Sequence, residues 1–167
     1  GVWTKFWLPE GTIDLKPEGH NYRRWRTPLS DADLEGRDPF DTGPPITQTF
    51  GNMVDFDQVE EDIWEIWQAI DGVDLAYDPA HSAGILPRLM DRGIECVEFP
   101  NTSKNMSDPM MMLDGFIRDG KIAHSANPVM DWMVSNTVRR KSGRVDLDYP
   151  DRSTPENKID GVVATLM

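Results

Sequence analysis

The stretch that most constrains the fold runs from Val73 to Pro100. There a short apolar strand pattern, VDLAYDP, is followed by a helical one, HSAGILPRLMDRG, and by a second strand pattern, IECVEFP. Two strands separated by a helix form a crossover that lays the strands parallel and puts the helix on the sheet's face. The chain is therefore expected to be α/β, with a sheet flanked by helices. Its crossover helix is expected to break or restart at Pro87, and its first strand to end at Asp78-Pro79.

Helical patterns surround this unit. In DFDQVEEDIWEIWQAIDG, Val59, Ile63, Ile66, Trp67 and Ile70 recur at helical spacing between an opening Asp55 and a closing Gly72. Trp64 and Trp67 read as packing residues. Ser107 is expected to cap DPMMMLDGFIRDG, with Pro109 in the first turn and Gly120 as the stop. Asn127 and Pro128 open the helix NPVMDWMVSN, and Asn136 reads as its C-cap. Met110, Met111, Met112, Met130 and Met133 read as adaptable core packing.

TVRRKSGRVDLDYPD has the look of a hairpin with a basic turn, and a closing helix is expected from Asn157 to Met167. Val2, Trp3, Phe6, Trp7 and Leu8 read as part of a strand. Residues 9–55, rich in Pro, Gly, Asp and Arg, read as a long irregular connection with room for short helices, of the kind that tends to be functional or mobile. The organisation expected is one domain over residues 1–167, with the α/β core in 56–167. An opening on strand residues and a helix-like end predict a piece of a longer polypeptide.

With 167 residues the chain is the size of one domain. No run is long and apolar enough to span a bilayer, and no secretory signal is visible. The single cysteine, Cys96, excludes an intramolecular disulfide and a cysteine-rich zinc site, and points to a reducing compartment. Its place in ECVEF suggests a small buried core residue. Seventeen Lys and Arg stand against 29 Asp and Glu, a net charge of −12. That balance argues against a protein that coats nucleic acid by neutralising phosphates. It leaves room for one that meets DNA through bound divalent cations and a local basic stripe.

Two acidic positions stand apart. Asp78 falls just past the C-terminal end of a strand expected to be buried, where open α/β sheets present ligands. Asp160 sits in the first turn of an apolar helix within ENKIDGVVATLM, beside Gly161-Val162-Val163-Ala164. A carboxylate buried there would need a cation, a proton or several donors. The positive end of a helix also favours such a group. Either residue alone reads as a cap or surface group. Together they suit a hard divalent cation, Mg²⁺ or Mn²⁺.

The run DGKIAHSANPVMDWMVSNTVRR, followed by ENKIDGVVATLM, resembles the end of the large terminase subunit of tailed bacteriophages and prophages. KFWLPEG and YDP fall in the order that family shows, so the resemblance covers nearly the whole chain. His124, Asn127-Pro128, Trp132, Asn136 and Lys158-Ile159-Asp160-Gly161 stand at matching separations.

The resemblance implies a ribonuclease H-like mixed sheet flanked by helices, lacking its first strands. It also implies an endonuclease that cuts concatemeric double-stranded viral DNA during genome packaging, in the host bacterial cytoplasm, with two Mg²⁺ or Mn²⁺ ions. The partners implied are DNA, the portal protein, the small terminase subunit and the N-terminal ATPase domain of the same polypeptide, of which no phosphate-binding loop occurs here. No membrane role is implied. Asp78 and Asp160 would be metal ligands. A third acidic residue would lie on a strand upstream of VWTKFWLP, so the chain alone is expected to be weakly active or inactive.

Lys158 would contact a scissile phosphate or neutralise the acidic cluster, or else be a solvated helix-start lysine. His124 would orient a ligand or touch DNA, or make a ring hydrogen bond to the loop before Asn127. Asp146 and Asp148, alternating in the hairpin, would approach the metal site or form a solvated strand face. Arg139, Arg140, Lys141 and Arg144, with Arg23, Arg24 and Arg26, would touch backbone phosphates without reading bases, or be ordinary exposed loops. Two rival readings stay open: a junction resolvase or transposase of the same superclass, and a non-catalytic module docking to the portal or small subunit.

Overall fold

A computed structural model of the chain describes residues 1–15, 22, 23, 25, 26, 44–143 and 147–167. Within them the elements are β1 (Trp7–Pro9), α1 (Glu10–Leu15), β2 (Thr47–Thr49), α2 (Phe56–Ala69), β3 (Leu75–Tyr77), α3 (Leu86–Asp91), β4 (Cys96–Glu98), α4 (Ser103–Arg118), α5 (Pro128–Ser135), β5 (Thr137–Lys141), β6 (Asp148–Arg152) and α6 (Asp160–Leu166). The strands pair as three two-stranded ladders. β1 lies parallel to β2 and β3 parallel to β4, whereas β5 and β6 are antiparallel with Thr137 opposite Arg152 and Lys141 opposite Asp148. The α/β class, with parallel and antiparallel pairing and helices on the sheets, is as the sequence predicts.

The β-α-β unit forms as expected. Leu75 pairs with Cys96 and Tyr77 with Glu98, and α3 makes the crossover with Pro87 in its first turn. The strands are less buried than predicted: Ala76 is exposed, Leu75, Tyr77 and Cys96 are half-buried, and Val97 is 44% exposed. Three-residue strands in a single pair have too little sheet around them to be enclosed. The Cys96 thiol is pushed up from its ordinary pKa by the burial it does have.

β2 corrects the reading of residues 9–55 as irregular. Thr47 donates its N–H to the Phe6 carbonyl at 2.7 Å, and Gly11 donates to the Gly51 carbonyl at 3.0 Å. The strand expected over Val2–Leu8 is split: Val2 makes an isolated parallel bridge with His124, and β1 begins only at Trp7.

α2 opens on Asp55, whose side chain accepts from the N–H groups of Asp57 and Gln58. Its stop differs from the prediction in one detail. The left-handed residue is Asp71, at φ +52°. Gly72 serves a close approach instead, since a Cβ there would stand 2.5 Å from the Trp67 ring.

α4 starts a turn before the expected cap, because the Thr102 hydroxyl is available to accept from the Asn105 N–H at 3.3 Å. Pro109 therefore lies inside the helix, and Ser107 is a buried residue whose Oγ accepts from the Asp148 N–H at 3.3 Å. Gly120 ends the turn at φ +64°, as predicted. Of the methionine stripe, Met133 is in the core, but Met111 and Met112 are about 60% exposed.

The main core joins Ile13, Tyr22, Trp25, Ile46, Val129, Met133 and Val162, with Phe6, Leu8, Met130 and Trp132 against it. This core holds α5 and α6 together. Gly161 makes the contact possible, because a Cβ there would meet Phe6 at 2.8 Å and the Met130 sulfur at 3.0 Å. Among the described residues no helix is long and apolar enough to cross a membrane.

Candidate active site

A cleft of about 670 Å³ opens where the end of β3, the β5–β6 hairpin and the start of α6 meet. Asp78, His81, Arg140, Asp151 and Asp160 are among the residues that line it. The two carboxylates singled out by sequence, 82 positions apart by their numbers, thus share one cleft.

Asp78 leaves β3 and turns at once. Its Oδ1 accepts from the Ala80 N–H at 3.0 Å, a local side-chain turn that fixes the carboxylate beside Pro79. Asp160 is the first residue of α6. Its neighbours Ile159, Gly161 and Val162 are buried, but Asp160 itself is exposed. This answers the puzzle of a charge beside an apolar run without any buried ion. Helical geometry turns Gly161 and Val162 inward and leaves this carboxylate on the cleft side with Val163 and Ala164, so the burial penalty expected from the sequence does not arise.

As donors the pair has the right chemistry for Mg²⁺ or Mn²⁺, which take carboxylate oxygens and water. Among the described residues no group of three His, Cys, Asp or Glu is close enough to hold a metal ion by itself. Asp78 and Asp160 belong to no such group among the described residues.

The other predicted residues divide. Lys158 is half-buried and outside the cleft lining; what it contributes is its carbonyl, which accepts from Asn136 Nδ2 at 3.2 Å. His124 also lies outside the lining. Its Nδ1 accepts from the Ala126 N–H at 3.2 Å, which places the ring in the loop before Asn127. Asn127 Oδ1 accepts from Val129 at 2.9 Å, the N-cap read from the sequence.

Asp148 is a correction. It lies neither on a solvated strand face nor in the cleft lining, but is buried and ion-paired with Arg139. Arg144 and Asp146 fall outside the described residues, as does Arg24. Strand alternation sorts the rest of the basic run. Arg140 reaches the cleft and pairs with Asp151, while Arg139 turns to the opposite face with Asp148. Lys141 is exposed on that second face, and Arg23 and Arg26 are exposed elsewhere. Sequence reading did not find His81 or Asp151. His81 had a signal, being three residues beyond Asp78; Asp151 had none without the hairpin register.

The Arg139 guanidinium, with Lys141 beside it, holds the Asp148 carboxyl below its ordinary value of 3.8. A depressed folded-state pKa contributes stability that is present above the ordinary value and lost as pH falls through the folded one. The melting temperature of Asp148→Asn is expected to lie below that of the wild type at pH 7 and to converge on it in acid. A gap independent of pH would show that charge pairing is not its cause.

The chain belongs to the family of terminase large-subunit endonuclease domains, whose family model matches residues 33–167. Among similar proteins, Protein YmfN of Escherichia coli (strain K12) is 32% identical over 123 residues, covering 73% of this chain and 27% of that protein. The terminase large subunit of Enterobacteria phage HK97 is 26% identical over 179 residues, covering 100% of this chain and 31% of that protein. The crystal structure of the HK97 bacteriophage large terminase matches with a TM-score of 0.70 and 25% identity, over 96% of this chain and 31% of that one. The chain thus spans less than a third of these relatives' length. Its fold is that of the terminase nuclease domain, ribonuclease H-like.

Proposed function

We propose that this chain is the DNA-cutting part of a phage terminase large subunit, an endonuclease that hydrolyses concatemeric double-stranded DNA with two Mg²⁺ or Mn²⁺ ions. The observation that carries the reading is the presence of Asp78 and Asp160 in one cleft at the end of the parallel strand pair. These residues would hold the ions, with the remaining ligands coming from outside the described residues. When bound, such ions activate water and stabilise the leaving oxygen of a phosphodiester.

Arg140 enters the same cleft and is the basic residue best placed to meet a DNA phosphate. The pairing of Arg139 with Asp148 argues against a matching role for it. A net charge of −12 fits a DNA contact made through bound cations and a local basic group. The expected setting is the packaging complex in the host cytoplasm, with the portal protein, the small subunit and the polypeptide's own ATPase domain as partners.

The full-length polypeptide is expected to nick supercoiled plasmid in Mn²⁺, to stop when the metal is chelated, and to resume when Mn²⁺ is restored. Nicking that persists in excess chelator would overturn the metal assignment. No nicking under any condition would favour a docking module, a reading that the net charge of −12 also suits.

A further inference from the structure

We infer that Asn136 is a positioning residue for Asp160, acting through the segment that links β6 to α6. The inference rests on the proposed metal role of Asp160 and goes beyond it by naming what aims that carboxylate.

Asn136 is only 7% exposed. Its main-chain N–H closes α5 on the carbonyls of Trp132 and Met133, at 3.1 and 3.2 Å. Its own carbonyl accepts from the Ser153 N–H at 2.8 Å, immediately past β6. Its side-chain Nδ2 donates to the Lys158 carbonyl at 3.2 Å, two residues before Asp160. One buried residue therefore ties the end of α5 to both ends of the linking segment.

The cap of α5 needs only the main-chain N–H. The side-chain amide is surplus to that task, and a buried amide without a partner would be costly. Its contact is with the rail that leads into α6. Between the two tied points lie Thr154 and Pro155, which line the cleft with Asp160. Beyond them, Gly161 donates its N–H to the Met133 sulfur at 3.1 Å, so α5 holds α6 on the far side of Asp160 as well. The segment has internal bonds too, from Asn157 Nδ2 to Ser153 Oγ at 2.7 Å and from the Asn157 N–H to the Thr154 carbonyl at 3.1 Å. These fix its shape, while Asn136 fixes its place. Asp160 is exposed, so its direction is set chiefly by the backbone on either side.

The test is a double-mutant cycle of N136D and D160A in the full-length polypeptide, with Mn²⁺ affinity read by calorimetry. N136D keeps the side-chain shape and removes the Nδ2 donor. It is expected to weaken Mn²⁺ binding about tenfold, the scale on which groups supporting a ligand act. In the D160A background the same substitution is expected to change nothing, because the group it acts through is gone. Hydrogen exchange in metal-free protein should quicken at Ser153 and around Asp160 but not in α2. Should N136D fail to fold, N136A, which adds no charge at the end of α5, is read in the same cycle. Equal weakening in both backgrounds, or unchanged affinity with D160 intact, would overturn the inference alone. If D160A itself leaves Mn²⁺ affinity unchanged, the metal reading of the cleft fails and the positioning role falls with it.

Discussion

Asp160→Asn and Asp78→Asn should each lower plasmid nicking by the full-length polypeptide about 100-fold or more in saturating Mn²⁺, while melting within a few degrees of the wild type. Asparagine matches the shape of aspartate and removes the charge that binds a divalent ion. Metal stabilisation of a developing charge is worth several kcal/mol, and each 1.36 kcal/mol is tenfold in rate, which sets the two-decade floor. The stability cost is small for reasons visible at each site. Asp160 is exposed, so its loss removes only a favourable interaction with the start of α6, about 0.3–1 kcal/mol. Asp78 accepts from Ala80 through Oδ1, and an asparagine carbonyl can accept the same bond. Residues that act as one unit are not additive, so the double variant should cut little less than either single one. If either single variant nicks within about threefold of the wild type, the cleft is not the hydrolytic centre.

The parts of this design legible in the sequence are those set by local rules. The β-α-β unit was readable because two short apolar runs flank a helical period, and the caps at Asp55 and Asn127-Pro128 because their side chains serve N–H groups two or three residues away. β2 was not, since Thr47–Thr49 is three residues of TQT with no apolar alternation, and its existence depends on β1 some 40 residues earlier. The start of α4 was hidden by Pro109, which reads as a first-turn residue but is tolerated inside the helix.

At the site the same division holds. Asp78 was placed by the end of its strand. Asp160 is legible as a carboxylate at a helix start, but its exposure is not, because its neighbours Ile159 and Gly161 are both buried. In a helix it stands roughly 200° from Val162, on the open side. The partition of Arg139 and Arg140 between two faces follows from alternation, but their partners Asp148 and Asp151 follow from hairpin register, which no local pattern fixes. Taken singly the two carboxylates read as cap or surface groups, and only as a pair do they suit a divalent cation; the nuclease chemistry is what the family resemblance implies.

Trp25→Ala should cost about 3–5 kcal/mol, the range for removing a large aromatic side chain from a core. At this chain length that corresponds to a fall in Tm of roughly 10 °C. Trp25 is 6% exposed and meets two other rings: its centroid is 5.4 Å from Trp132 and 6.1 Å from Tyr22, while Tyr22 and Trp132 meet edge-on at 6.2 Å. Such pairs add about 0.5–1.5 kcal/mol each beyond the buried area. Trp25→Phe should cost much less. It keeps an aromatic ring, and the indole N–H it removes is buried with no hydrogen-bond partner among the described residues, so no bond is lost. The main-chain contact, Ile46 N–H to the Trp25 carbonyl at 3.1 Å, survives both changes. Because Trp132 belongs to α5, and α5 carries Met133 and Asn136 toward α6, the alanine variant should also weaken Mn²⁺ binding below its melting transition while the phenylalanine variant does not. A Trp25→Ala protein with unchanged Tm would mean that the three-ring cluster does not hold α5, and the mechanical link from core to carboxylate would be lost with it.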